Sequence, residues 1–188
     1  MTDPRAAVFA AIKSARGGAA FTPMEVAQVD DLLDRLRVPH AAAPLARRIG
    51  PAGLALIKSF EGCRLTAYRC PAGVWTIGYG STGAHVREGM TISPERAEAL
   101  LRGDLARFEA AVAKAVPAAT QNQFDAMVSL AFNIGVAAFA KSTVARKAKA
   151  GDHAGAAAAF SLWNKAGGKV LPGLTRRRAA EAELYRKG

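Results

Sequence analysis

The sequence predicts an α+β protein: a small β-hairpin lobe, a larger helical lobe with a cleft between the two, and an N-terminal helical extension. Three observations carry that prediction. Of the 188 residues 51% are apolar, and alanine supplies much of that share, which favours helices around a real core. One stretch, "RLTAYRCPAGVWTIGYG" (64–80), has the alternation and the central turn of a hairpin. The residues beyond it carry repeated helix-start signals.

Taken in order, residues 5–15 and 23–37 read as two helices joined by "ARGGAAF". Thr22 and Glu25 form a capping box around Pro23, and Val26, Val29, Leu33 and Leu36 repeat at helical spacing. Two such helices bury little, so they read either as a packing or solubility appendage or as a wall- or partner-binding hairpin. "VPHAAAPLARR" (38–48) is a linker broken by Pro39 and Pro44. The expected division is therefore an extension with its linker over 1–44 and a main domain over 45–188.

"PAGLALIKSFE" (51–61) suits a short helix with Leu54, Ile57 and Phe60 on one stripe, ended by Gly62. "RLTAYR" is a strand, "PAG" (71–73) turns the chain, and "VWTIGYG" returns; a third strand is expected near "AHVREG". Ser93-Pro94 starts a helix running to about 114. Thr120 and Gln123 box a helix over 121–134, and Ser142 and Asp152 are N-caps of two shorter ones. "WNKAGGKVLPG" (163–173) reads as a glycine-rich loop before a last helix, "LTRRRAAEAELYRK".

The formal charge is +11, and the first 44 residues hold five basic and five acidic side chains, so the whole excess belongs to residues 45–188. A basic domain of this kind expects an anionic polymer. Aromatic and basic residues are not interleaved on one reading element, so no nucleic acid is expected as partner. "GYG" and "AGG" do not continue into a phosphate loop. No apolar run reaches membrane-span length and no signal peptide is legible, so stable membrane insertion is not expected and a substrate outside the cell would need another export route. His40, His85 and His153 are scattered, so no metal is expected. If residues 64–70 are extended, Cys63 and Cys70 lie roughly 20 Å apart at ~3.3 Å per residue, well beyond disulfide reach.

Glu61, Cys70 and Thr76 stand nine and six residues apart, at a helix end, in a turn and on the returning strand, which turns all three toward one edge of the cleft. In that pattern, with "TIGYG", "SLAFNIG", "FAKST" and "WNKAGGKVLPGLTRRRAAE", the chain resembles the phage-type lysozymes, endolysins of glycoside hydrolase family 24. The likeness covers about residues 50–187. It implies a lysozyme-like fold and hydrolysis of the β-1,4 bond between N-acetylmuramic acid and N-acetylglucosamine in peptidoglycan. Glu61 would be the general acid, its pKa raised by apolar neighbours such as Phe60, and Thr76 would orient water. Many members have aspartate where this chain has Cys70, a variant that the family also uses. An ordinary thiol is only a few per cent ionised at neutral pH. Cys70 is thus a base, a nucleophile or a water-positioning group, whereas Cys63 reads as inert.

The resemblance also places Phe132, Asn133 and Ser142 along the saccharide cleft. It implies no cofactor, a monomer acting on peptidoglycan glycan strands, and retention in the host cytoplasm until a holin, which the enzyme need not touch, opens the membrane. Ser81 replaces a histidine common among relatives, with His85 four residues on. Arg176, Arg177 and Arg178 read first as a solvated basic face, and second as an electrostatic contact to an anionic wall. Two rival activities are a lytic transglycosylase using Glu61 alone and a non-catalytic wall-binding module.

Overall fold

The computed structural model describes residues 4–36, 38 and 47–188. The chain divides into two units, Met1–Ala46 and Arg47–Gly188. The linker expected over 38–48 lies outside the described residues except at 38, 47 and 48.

In the first unit, α1 (Pro4–Ala15) and α2 (Pro23–Arg35) form a helical pair. The capping box is made as expected: Thr22 N donates to Glu25 at 2.8 Å and Glu25 N donates to the Thr22 hydroxyl. The apolar stripe along α2 is only partly used, because Leu33 is buried whereas Val26 and Leu36 are exposed. The pair is held instead by polar and aromatic contacts. The buried Arg5 guanidinium joins Asp30, Asp34 and the carbonyl of Val38, and Phe9 meets Phe21 edge to face with centroids 5.2 Å apart.

The second unit is built around a buried helix. Its α3 (Pro51–Glu61) leads into a three-stranded antiparallel sheet, β1 (Arg64–Arg69), β2 (Trp75–Gly78) and β3 (Ser81–Thr82), in that spatial order. Then come α4 (Pro94–Ala115), α5 (Gln121–Ile134), α6 (Val136–Ala140), α7 (Thr143–Lys149) and α8 (His153–Ala159). A 3-10 turn (Phe160–Trp163), a two-stranded hairpin of β4 (Lys165–Ala166) and β5 (Lys169–Val170), and α9 (Pro172–Arg186) complete it. Every residue of α5 from Gln123 to Ala131 is buried. Its core side chains, Phe124, Met127 and Leu130, each contribute roughly 1.5–3 kcal/mol by leaving water. Thr120, Ser142 and Asp152 all act as N-caps, as expected.

Two expectations about strands are corrected. The third strand lies at Ser81–Thr82 and not near "AHVREG", because Gly78 and Gly80 take positive φ (64° and 97°) and fold the chain straight back onto β2. The stretch 163–173 is not an open loop. Gly167 and Gly168, both at positive φ, make the two-residue turn of the β4–β5 hairpin.

The start of α3 is fixed from outside its own sequence. Its N-cap, Gly50, has no side chain to offer, so the buried Asp125 carboxylate on α5 accepts from Gly50 N (2.9 Å) and Gly53 N (3.1 Å). The negative charge also suits a helix N-terminus. Just before the cap, buried Glu109 of α4 accepts from Ile49 N at 2.8 Å and from Arg48 Nη1 at 2.9 Å. The approach of α5 is so close that a Cβ on Gly53 would fall 2.6 Å from Cβ of Asp125. Among the described residues no helix is long and apolar enough to cross a membrane.

Gly53→Ala should therefore force α3 away from α5 and lower the unfolding free energy by about 1–3 kcal/mol, the usual cost of overpacking. Urea unfolding of the two proteins measures it, and an unchanged midpoint would contradict the close approach.

Candidate active site

Glu61 is the last residue of α3, where Gly62 at φ 68° breaks the helix and sends the chain into β1. Its side chain is 25% exposed, and Arg177 Nη1 on α9 donates to Glu61 Oε1 at 2.6 Å. The apolar setting expected for Glu61 is thus only partly present: the Arg177 guanidinium stands against the carboxylate and over the Phe60 ring, 5.6 Å from its centroid.

Arg177 is one member of a buried polar group. Its Nε donates to Glu181 Oε1 at 3.2 Å and its Nη2 to the carbonyl of Ser129 at 3.4 Å. Glu181 Oε1 also accepts from Ser129 Oγ (2.7 Å) and Arg178 Nη2 (3.1 Å), while Arg178 Nε stands 2.9 Å from Glu181 Oε2. Arg178 Nη2 reaches on to Asn133 Oδ1 at 3.1 Å. Burial pushes the Glu181 carboxyl up and the Arg178 guanidinium down, and their mutual attraction opposes both shifts.

This corrects the reading of three arginines as a solvated face. Arg176 is exposed, but Arg177 and Arg178 are 4% and 1% exposed. They share one face of α9 with Glu181, one helical turn on, and that face packs on α5.

On the small lobe, the "PAG" turn closes with Cys70 N donating to Val74 O (3.0 Å) and Gly73 N to Cys70 O (2.7 Å), Gly73 taking φ 75°. The backbone amide of Val74, then that of Ala72, pulls the Cys70 thiol below its ordinary pKa, and the Thr76 hydroxyl adds to this against partial burial. Thr76 sits opposite Tyr68 across the β1–β2 ladder and is 4% exposed. Its Oγ1 donates to Val74 O at 3.0 Å. Beside them Arg69 lies over the Trp75 ring, 4.8 Å from its centroid. Cys63 and Cys70 are both free thiols, Cys63 exposed.

The structure brings Cys70 and Thr76 together, and it joins Glu61 to Asn133 through Arg177, Glu181 and Arg178. Phe132 packs edge to face on Phe108 (centroids 5.3 Å) as part of the helical core. Ser142 is buried, and its hydroxyl accepts from Ala145 N at 3.0 Å as the cap of α7. Ser81 is buried at the end of the sheet, with its hydroxyl 3.4 Å from His85 Nε2. The sequence carries no expectation for Glu181 or Ser129, and for Arg177 only that of a basic face. The signal was present as an acid, Glu181, in line with the apolar positions Ala182, Leu184 and Tyr185 and four residues after an arginine.

A family model described as phage lysozyme matches residues 58–181, which include Glu61, Cys70 and Thr76. The endolysin of Acyrthosiphon pisum secondary endosymbiont phage 1 is 49% identical over 142 residues, 73% of this chain and 97% of its own length. A crystal structure of a P22 lysozyme mutant is similar, with TM-score 0.70 and 43% identity over 74% of this chain and 99% of that one. So is the muramidase domain of SpmX from Asticaccaulis excentricus, with TM-score 0.68 and 46% identity over 74% and 97%.

Two measurements check this geometry. In a Cys63→Ser background, the pH dependence of Cys70 alkylation should show a midpoint below the ~8.5 of an ordinary cysteine, raised by Thr76→Val; a midpoint at or above ~8.5 would contradict the turn's donors. Glu181→Ala should leave two buried cations with one acid fewer and cost about 3–5 kcal/mol in urea unfolding.

Proposed function

The chain belongs to the phage lysozyme family, and from that premise we propose that Glu61, Cys70 and Thr76 carry its catalysis. It is a glycoside hydrolase of the lysozyme type, an endolysin acting on peptidoglycan. The bond cleaved in this reading is the β-1,4 link from N-acetylmuramic acid to N-acetylglucosamine. The observation that carries the residue assignment is the turn at Cys70, where two backbone amides and the Thr76 hydroxyl favour the thiolate.

Glu61 gives its proton to the leaving oxygen, and the carboxylate it leaves is neutralised by Arg177 at 2.6 Å. Cys70 takes a proton from the attacking water, which Thr76 helps to orient. A thiolate does this at neutral pH only if its charged form is held, and the turn supplies the donors. Asn133 contributes from the helical lobe as a polar group toward the saccharide, fixed by Arg178. Phe132 and Ser142 support that wall of the site through the core and the α7 cap. In the same reading residues 1–44 are an extension separate from the catalytic domain 45–188. The enzyme works as a monomer, released to the wall from the host cytoplasm by a holin; the family alone supports this part.

Glu61→Gln should lower lysis of permeabilised cells by roughly 100-fold or more, the scale of a lost general acid. Cys70→Ser should lose most activity while Cys70→Asp keeps a useful fraction; a serine variant at wild-type rate would remove Cys70 from the mechanism. Digested peptidoglycan should carry ordinary reducing muramic ends, and 1,6-anhydro ends would replace hydrolysis by transglycosylation.

A further inference from the structure

A groove of about 430 Å³ runs between α8 and α9. Four alanines, Ala157 and Ala158 of α8 with Ala179 and Ala182 of α9, give it an apolar lining, and α9 adds two cations, Arg178 and Arg186. Neither Glu61, Cys70, Thr76 nor Asn133 lines it, and neither does any acid. The hydroxyls of Ser161 and Thr175 do, but both give their protons to backbone carbonyls, Ala158 O at 2.8 Å and Leu171 O at 3.2 Å. Hydrogen-bond donors for a ligand thus come chiefly from the two arginines.

Arg178 is 1% exposed. Its Nε and Nη2 face Glu181, and Nη2 also reaches Asn133. Its Nη1 is buried as well, yet has no hydrogen-bond partner among the described residues. A buried charged donor without an acceptor is costly, and it marks a place that a group from outside can complete. Arg177 and Arg178 together balance Glu61 and Glu181. The uncompensated charge at the groove is therefore that of Arg186, which is exposed and makes no ion pair among the described residues.

A ligand that meets these conditions carries one oxyanion to accept from Arg178 Nη1 and a short apolar body to cover the alanine methyls. A phosphate monoester fits less well, because its second charge would find no cation. We propose that the α8–α9 groove binds a small monocarboxylic acid with a short unbranched apolar chain, its carboxylate on Arg178 and its chain along the four alanines. Arg186 lies ~12 Å further along α9 at ~1.5 Å per residue, so it attracts the anion through space and its effect weakens with salt. The bound acid also meets the buried group that holds the end of α3, since Arg178 shares Glu181 with Arg177 and Arg177 donates to Glu61.

Hexanoate is the probe, added to the full chain while amide and arginine Nε–H resonances are followed by heteronuclear NMR. Saturable shifts should be confined to the four alanines, their helical neighbours and the Nε–H of Arg178, with a Kd on the order of 1 mM, the scale of a ligand of few heavy atoms in an open groove. Hexanamide, with a similar chain and no charge, should bind roughly tenfold more weakly, the margin of a charge-assisted hydrogen bond over a neutral one. Inorganic phosphate at equal concentration should not displace hexanoate. Removing Arg178 would strand Glu181, so the groove is filled instead: Ala179→Leu from one wall, and separately Ala158→Leu from the other, should each abolish the saturable shifts at an unchanged urea midpoint. Arg186→Gln should weaken binding by about twofold, as for one exposed charge. Shifts that do not saturate, that spread over the cations of the whole domain, or that survive both filled grooves would overturn the site. Equal binding of hexanamide, or displacement by phosphate, would overturn the carboxylate as its ligand.

Discussion

The carboxylate of Glu181 lies fully buried on α9 between the guanidinium groups of Arg177 and Arg178, and this group connects the helical core to Glu61. Taking any one of these ions out of water alone would cost several kcal/mol. Together the two arginines balance Glu181 and Glu61, and the Ser129 hydroxyl and carbonyl take further hydrogen bonds from α5. The arrangement holds only when α5, α9 and the end of α3 are all in place. Removing any one partner leaves the others buried and unbalanced, and the arrangement fixes the position of the Glu61 carboxylate as part of the core's own charge balance.

The other end of α3 is held by the same strategy. Asp125 and Glu109 reach from α5 and α4 to the amides of Gly50, Gly53 and Ile49. A helix of 11 residues spans roughly 16 Å at ~1.5 Å per residue, short and stiff enough to carry position from one end to the other. Leu54 and Ile57 bury its middle against the core. Glu61 is thus located by contacts at both ends of a rigid rod, and Gly53 is required because α5 comes too near for any side chain.

Legibility in the sequence followed the range of the interactions involved. The capping boxes at Thr22 and Thr120 and the N-caps Ser142 and Asp152 are set by residues three apart, and the structure has them where the pattern placed them. The hairpin around "PAG" was readable for the same reason. The burial of Arg177 was not, since its partner Glu61 lies 116 residues away and three consecutive arginines resemble a surface run. The "AGG" turn was missed as a hairpin because strands of two residues leave no alternation to read. The stripe on α2 misled in the opposite sense: helical spacing was present, but no second layer among the described residues covers Val26 or Leu36.

The same logic applies to the surroundings of Cys70. Residue 70 sits in a turn closed by its own backbone, with the amides of Val74 and Ala72 directed at the side chain and Thr76 one strand away. Those donors belong to the fold of the turn and would serve a carboxylate or a sulfur anion alike. The side chain then decides only how large a fraction is charged at a given pH. An aspartate needs no help to ionise in neutral water, whereas a thiol does, and the amides supply it by lowering the cost of the anion. The charge state of Cys70 is therefore a property of the backbone around it, and depends on the turn as much as on the atom that the turn presents.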